Sequence, residues 1–301
     1  MVDAAFLACD WGTTNLRAWL VGGDGAVLAE RELALGVGKL GPGEAERRFH
    51  DEVRPAMGAE GAPAILCGMI GSNLGWKAVD YVPCPAGLDD LRAGLASVAD
   101  GVRIVPGVRG EGIAGAPDVM RGEETQVVGW LLQDPARLRG RHVICHPGTH
   151  AKWILVEDGK IVRFITAMTG ELFAVLSKHG VLRNDAPAGD EAAFDAGLAA
   201  AEDGGALAAR LFTARSRVVA GGEPVGSTPS YLSGLLIGAE AAALPQQLGV
   251  ERGCPLVLLG DAALCRWYAH ALAALGYATS THDGEAAALA ALTTLQLEAR
   301  A

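Results

Sequence analysis

The feature that most restricts this chain is a block that occurs twice. Residues 6–33 run as an apolar strand ending on a carboxylate, Phe6-Leu-Ala-Cys-Asp10, followed by the turn Gly12-Thr13-Thr14-Asn15. A second strand through Arg17, the pair Asp24-Gly25 and a third strand complete it. Residues 142–166 repeat the order: an apolar strand, Gly148-Thr149, a strand through Lys152, Asp158-Gly159 and a further strand. Asp-Gly is the pair that a type I′ turn prefers, so each block reads as hairpins in series. A short Gly/Thr turn at a strand end can aim backbone N–H groups and hydroxyls at one anion. Two unrelated hairpins would also satisfy the pattern, since Asp-Gly turns are common. The shared order favours two related domains, each offering a phosphate-binding turn to a common cleft.

Between and after the blocks, strands alternate with helices, which predicts a mixed α/β architecture. Helices are expected over Glu44–Val53, Leu88–Val98, Glu123–Gln133, Glu171–Lys178, Ser230–Ala243, Ala262–Leu275 and Gly284–Leu297. The Ala-rich stretch Asp190–Arg217 reads as helical throughout, and Ala64–Cys67, Val102–Val105 and Leu256–Leu259 read as strands. A length of 301 residues makes two domains the default. A net charge of −10 argues against a nucleic-acid surface, which needs a basic stripe. No apolar run approaches the length of a membrane span. Phe6–Cys9 leads straight into Asp10, which predicts no signal peptide. The six cysteines form no C-x-x-C pair and read as core residues in a reducing cytoplasm.

Chemistry-bearing residues gather at the turns. Asp10, beside the first Gly-Thr turn, could hold the hydration shell of a Mg²⁺ ion against a phosphate chain. Glu123 and Glu124 open the helix that precedes the second block. Acidic residues are favoured in a first helical turn for electrostatic reasons alone. Either one could equally serve as a general base. Gly68–Lys77 places Ser72, Asn73 and Lys77 among glycines at a strand end, where α/β proteins bind small polar ligands. Gly260-Asp261, at a strand-to-helix turn, suits a nucleoside platform or a plain helix cap. His150 is a candidate contact beside the second turn. Gly110-Glu-Gly112-Ile-Ala-Gly115 has dinucleotide spacing, but Pro117 follows where a helix is needed. Gly36-Val-Gly38-Lys39-Leu40 lacks the Ser/Thr of a P-loop.

These pieces resemble the sugar kinase, Hsp70 and actin ATPase superfamily and, within it, the 2-dehydro-3-deoxygalactonokinase family. The resemblance rests on Asp10-Trp-Gly-Thr-Thr-Asn-Leu-Arg17, Cys67-Gly-Met-Ile-Gly-Ser-Asn-Leu-Gly-Trp-Lys77 and Val119-Met-Arg-Gly-Glu-Glu-Thr-Gln126. It continues through Pro147-Gly-Thr-His-Ala-Lys-Trp153, Met168-Thr-Gly-Glu-Leu-Phe173 and Ser233-Gly-Leu-Leu-Ile-Gly-Ala-Glu240, spanning nearly the full length. Asp80 stands where that pattern leads one to expect proline, and Asp261 where small residues are commoner.

The resemblance implies a two-domain actin-like ATPase (ribonuclease H-like) fold with an interdomain cleft. Residues 1–137 would form the first domain, joined by a C-terminal helix at 284–301, and residues 138–283 the second. It implies ATP-dependent phosphorylation of the 6-hydroxyl of 2-dehydro-3-deoxy-D-galactonate, in galactonate catabolism. Asp10 would organise Mg²⁺, and Glu123, or else Glu124, would take the hydroxyl proton. Gly12, Thr13, Thr14, Asn15 and Arg17 would contact ATP from one side. Gly148, Thr149, His150, Lys152, Gly260 and Asp261 would do so from the other. Gly71, Ser72, Asn73, Trp76, Lys77 and Arg121 would line the sugar-acid site, with Lys77 or Arg121 meeting the carboxylate. A homodimer is the expectation from the general habit of soluble enzymes. Two other readings fit the same residues: a kinase of the superfamily acting on another sugar, and an actin-like nucleotide switch that polymerises or binds partners.

Overall fold

Phe6, Leu7, Ala8 and Cys9 are fully buried, so the first strand is covered on both faces. Such a run belongs at the middle of a sheet flanked by helices. In the computed structural model, which describes residues 4–202 and 205–298, it is the third of six strands. Strands β1 (Ala4–Trp11), β2 (Leu16–Gly22) and β3 (Val27–Leu33) form an antiparallel meander. β4 (Ala64–Cys67) pairs parallel on the other side of β1, with Asp10 opposite Cys67. The charged, largely exposed β3 closes one edge, as an edge strand should.

Helical residues 44–57 between β3 and β4 are interrupted by one π-turn. They comprise α1 (Glu44–Arg48), the wide turn Phe49–Val53 and α2 (Arg54–Met57). Phe49 and Val53 are buried in one cluster with Leu7, Trp11 and Leu66, while Glu46, Arg47, His50 and Asp51 are exposed, so the expected helix is amphipathic, with one face in the core. β5 (Tyr81–Pro83) follows, then α3 (Leu88–Ala93). The helix expected over Leu88–Val98 ends at Gly94 and turns into β6 (Ala96–Ala99). A Cβ at Gly94 would lie 2.8 Å from Pro106 and 3.0 Å from Val82, so the chain passes where only glycine fits. β7 (Val102–Ile104) completes the sheet order β3-β2-β1-β4-β7-β6. β8 (Gly107–Glu111) pairs with β5 on one side and β9 (Pro117–Met120) on the other, a small sheet that the hydrophobic pattern did not reveal. β9 then leads into α4 (Glu123–Leu132).

The second block forms β10 (Arg141–His146), β11 (Ala151–Glu157) and β12 (Lys160–Ala167). α5 (Thr169–Lys178), α6 (Glu191–Glu202), α7 (Leu207–Val219) and the 20-residue α8 (Thr228–Gln247) come next. The stretch read as continuously helical over Asp190–Arg217 is thus two helices, α7 starting after an extended Ala206. Residues 203–204 of that stretch lie outside the described residues. β13 (Pro255–Gly260), α9 (Ala262–Ala274) and β14 (Ala278–Asp283) complete the order β12-β11-β10-β13-β14. α10 (Gly284–Glu298) packs on α4, where a Cβ at Gly129 would lie 1.7 Å from the Ala287 carbonyl.

The chain divides into two compact units. One holds 1–142, 156–164 and 283–301; the other holds 143–155 and 165–282. Both sheets begin 3-2-1-4 in order of appearance, so the repeated block is a repeat of topology. The Asp-Gly turns differ. Asp158 and Gly159 both take positive φ, as a type I′ turn requires, whereas at Asp24-Gly25 only the glycine does. There the loop is longer, closed by the Gly22 N–H on Ala26 O and the Ala26 N–H on the Asp24 carboxylate. Among the described residues no helix is long and apolar enough to cross a membrane.

Candidate active site

In the first unit, three segments meet at the carboxyl end of β1. Asp10 is its last polar residue, and the Gln126 amide of α4 donates to it across 3.4 Å. Gly68, just after β4, takes φ +87 and closes the approach: a Cβ there would sit 2.8 Å from Trp11 O and 3.0 Å from the Asp10 carboxylate. Gly122, at φ +110, lies against Gly68 in turn, with 3.3 Å to its Cα. Glycine at both positions lets β1, β4 and the start of α4 converge. Burial raises the Asp10 carboxyl to about 6, an effect opposed by the Gln126 hydrogen bond and reinforced by the nearby charge of Glu123.

Glu123 and Glu124 have separate surroundings. Glu124 is fully buried, accepting from the Gly122 N–H at 2.7 Å and the Thr125 hydroxyl at 2.8 Å. Desolvation, with Glu123 beside it, pushes its carboxyl up to about 8, so it is largely protonated at neutral pH. Glu123 is half-buried and accepts the Arg121 backbone N–H at 3.0 Å through one oxygen.

The Gly12–Asn15 turn is braced from behind. Val37, Gly38 and Gly36 donate their N–H groups to the carbonyls of Gly12, Thr13 and Thr14, at 3.0, 3.0 and 3.1 Å respectively. Thr13, Thr14 and Asn15 are exposed. A Cβ on Gly36 would fall 2.1 Å from the Thr14 carbonyl carbon, so the brace requires that glycine. Sequence reasoning dismissed Gly36–Leu40 as a failed P-loop and missed this support; two glycines flanking Val37 were the only signal. Asn15 and Arg17 point along the sheet to Glu32, at 2.8 and 3.0 Å, and Arg17 also pairs with Glu285 of α10.

Of the expected sugar-site residues, Gly71 and Arg121 meet: a Cβ on Gly71 would lie 2.8 Å from the guanidinium. Arg121 is buried, donates to Val79 O at 2.7 Å and lies 4.4 Å over the Tyr81 ring. Ser72 is consumed in its own turn, donating to Met69 O and accepting from the Leu74 N–H. Trp76 packs on Phe49, while Asn73 and Lys77 are exposed.

In the second unit, the Gly148–His150 turn rests on the start of α5. The Glu171 N–H donates to Thr149 O at 2.9 Å, and His150 pairs with the Glu171 carboxylate at 2.5 Å. Lys152 is buried, its ammonium donating to His150 O at 3.0 Å. Gly260 lies beside His146 and Pro147, a Cβ there being 3.7 Å from Pro147 O. Asp261 caps α9, accepting the Leu264 N–H at 2.8 Å. A mainly apolar cavity of about 180 Å³ opens next to the turn, lined among others by Gly148, Thr169, Phe173, Ser233, Leu264 and Trp267.

Residues 10–295 match the family model described as 2-keto-3-deoxy-galactonokinase. A protein of Rhizobium meliloti (strain 1021) named probable 2-dehydro-3-deoxygalactonokinase is 36% identical, over 95% of each chain. The 2-dehydro-3-deoxygalactonokinase of Escherichia coli (strain K12) is 35% identical, again over 95% of each. A Sinorhizobium meliloti crystal structure, provisionally given the same kinase name, superposes with a TM-score of 0.84 at 34% identity, over 96% of this chain and 97% of that one. The activator of the 2-hydroxyisocaproyl-CoA dehydratase from Clostridium difficile shares the fold, with a TM-score of 0.52 at 13% identity and coverage of 98% and 95%.

Proposed function

The chain belongs to the 2-keto-3-deoxy-galactonokinase family, and on that premise we propose that it transfers the γ-phosphoryl group of ATP to the 6-hydroxyl of 2-dehydro-3-deoxy-D-galactonate. It is a carbohydrate kinase with the actin-like ATPase fold. The proposed reaction is a step of galactonate catabolism, in the cytoplasm.

The observation that carries the reading is the convergence of Asp10, Gln126 and Glu123 behind an exposed Gly-Thr turn in a chain of this family. Mg²⁺ in nucleotide sites is bound by one or two carboxylates plus substrate phosphates, and the Asp10 carboxylate is a donor of that kind. When bound there, the ion would neutralise charge on the transferring phosphates.

Glu123 is the proposed base. Its carboxylate takes the proton of the 6-hydroxyl as that oxygen bonds to the γ-phosphorus and the bond to the β-phosphate oxygen breaks, releasing ADP. Glu124 is a poor candidate: it is sealed from any substrate, has a partner on each oxygen and is largely protonated. The exposed Gly12–Asn15 turn and the Gly148–His150 turn are proposed to hold the phosphates, and the cavity beside Gly148 the nucleoside. The Gly71–Lys77 loop with Arg121 is proposed to hold the sugar acid.

An ATP-consumption panel over aldoses, aldonic acids and 2-keto-3-deoxy acids tests the substrate. Preferred turnover of the C6 keto-deoxy acid is expected. A better aldose, or ATP hydrolysis that no acceptor stimulates, would overturn the assignment in favour of a neutral-sugar kinase or a nucleotide switch.

A further inference from the structure

Glu240, midway along α8, is buried and receives hydrogen bonds from three side chains on three other elements. Trp153 of β11 donates its indole N–H to Oε1 at 2.6 Å. Tyr268 of α9 donates its hydroxyl to Oε2 at 3.0 Å, and the Thr169 hydroxyl at the start of α5 donates to the same oxygen. Burying a carboxylate is costly unless it is fully hydrogen-bonded, and an apolar residue would fill the space more cheaply. What Glu240 supplies is a pair of oxygens that holds donors from three elements at once.

Thr169 links that carboxylate to the Gly148–His150 turn. The next residue, Gly170, packs directly beneath it: a Cβ there would lie 2.5 Å from Gly148 O and 2.8 Å from Thr149 Cα. The residue after, Glu171, holds Thr149 O with its N–H and His150 with its side chain. Thr169 and Tyr268 also face the 180 Å³ cavity beside Gly148. The rotamer of Thr169 and the seat of the first turn of α5 therefore set both the shape of the turn and one wall of the cavity.

We propose that Glu240 is a positioning residue for the nucleotide: acting through Thr169, it holds Gly148–Thr149 in the shape that binds the phosphates of ATP. The proposal rests on the kinase reading and on the assignment of that turn to ATP. Glu240→Gln keeps the size but turns an NH₂ group toward hydroxyls that now donate. Thr169→Val removes the link, and Thr169→Ser preserves it.

Steady-state kinetics of the purified full chain test this, with thermal melts alongside. Glu240→Gln and Thr169→Val should each raise KM for ATP about ten-fold, the scale of losing one hydrogen bond to a charged group. KM for the sugar acid should stay within roughly two-fold, Thr169→Ser should match the parent, and the double variant should be no worse than the worse single one. An unchanged KM for ATP in a variant that melts like the parent overturns the proposal. So does an equal rise in both KM values with a lowered melting temperature, which would make Glu240 a packing residue only. Should Glu240→Gln fail to fold, the Thr169 pair decides on the same readouts. A parent protein that binds ATP but phosphorylates no sugar acid would defeat the kinase reading separately, and the variants are then compared by their Kd for ATP.

Discussion

The Gln126 side chain donates to the Asp10 carboxylate across 3.4 Å, joining the end of β1 to α4 over 116 residues of sequence. A contact of that length is a weak hold. It orients the carboxylate without claiming it, which is what a group that must also serve a cation requires. Burial gives the Asp10 carboxyl its main upward push, and the charge of Glu123 on the same helix adds to it.

Replacing Asp10 with Asn should therefore act on metal dependence above all. Charge stabilisation by a bound divalent ion supplies several kcal/mol, so turnover should fall by roughly 10²–10³-fold, with a higher Mg²⁺ concentration needed for half-maximal rate. Removing Mg²⁺ with EDTA should stop the parent enzyme, and adding it back should restore it. A Mg²⁺ titration of Asp10→Asn that overlays the parent's would rule Asp10 out as the metal-site residue.

The two adjacent glutamates should separate cleanly in kinetics. Glu123→Gln is expected to lower kcat by about 10²–10⁴-fold, the usual scale for losing a general base, with ATP binding by calorimetry unchanged. Glu124→Gln should lower it far less, since Gln still accepts the Gly122 N–H and replaces a carboxyl that is already largely protonated near pH 7. Near-full turnover in Glu123→Gln would remove it from the chemistry.

Much of this was legible in the sequence because it depends on local signals. The Gly-Thr turns, the Asp158-Gly159 pair and the acidic start of α4 are short-range patterns whose geometry follows from backbone sterics and hydrogen bonding, whereas Asp24-Gly25 sits in a longer loop than its sequence suggests. By contrast, β6 is carved out of an apparent helix and is too short to show a period, whereas the three-residue β7 lies within Val102–Val105, which reads as a strand. The small β5-β8-β9 sheet has the same difficulty, with Gly107 and Gly110 interrupting any alternation. Within the site, the separation of Glu123 from Glu124 was not legible: it follows from what packs around α4, and adjacent positions on a helix simply face different ways. Nor was the binding of Asn15 and Arg17 to Glu32, which depends on the β2–β3 register.

The Gly36 brace predicts a mutation far from any reactive atom that still affects phosphate binding. In Gly36→Ala the new methyl would meet the Thr14 backbone at 2.1 Å, so the turn or the 36–38 segment must move. Overpacking of this kind typically costs about 1–3 kcal/mol, readable by urea denaturation. KM for ATP should rise along with the instability, because the strain falls on the turn proposed to bind it. Gly61→Ala is the comparison: like Gly36 it has no left-handed φ, and with nothing within 4 Å of the new Cβ it adds the methyl without the clash. Equal KM values for ATP in the two variants would show that the brace does not reach the nucleotide.

Burial of Glu124 makes a prediction about stability against pH. Its carboxyl is raised from 4.5 to about 8, mainly by desolvation. The folded chain therefore keeps a proton that the unfolded chain releases above pH 4.5. The associated stability is complete below that pH and is lost as pH rises through 8. Asp10 adds a smaller effect of the same sign between 3.8 and about 6. Glu124→Gln removes the larger titration while retaining an acceptor for the Gly122 N–H. Its melting temperature relative to the parent should therefore climb steadily from pH 5 to pH 9, by several degrees across the range. The Asp10 titration is present in both proteins and cancels in the difference. A difference that stays flat across that range would mean that Glu124 remains ionised in the fold and that its burial does not shift it.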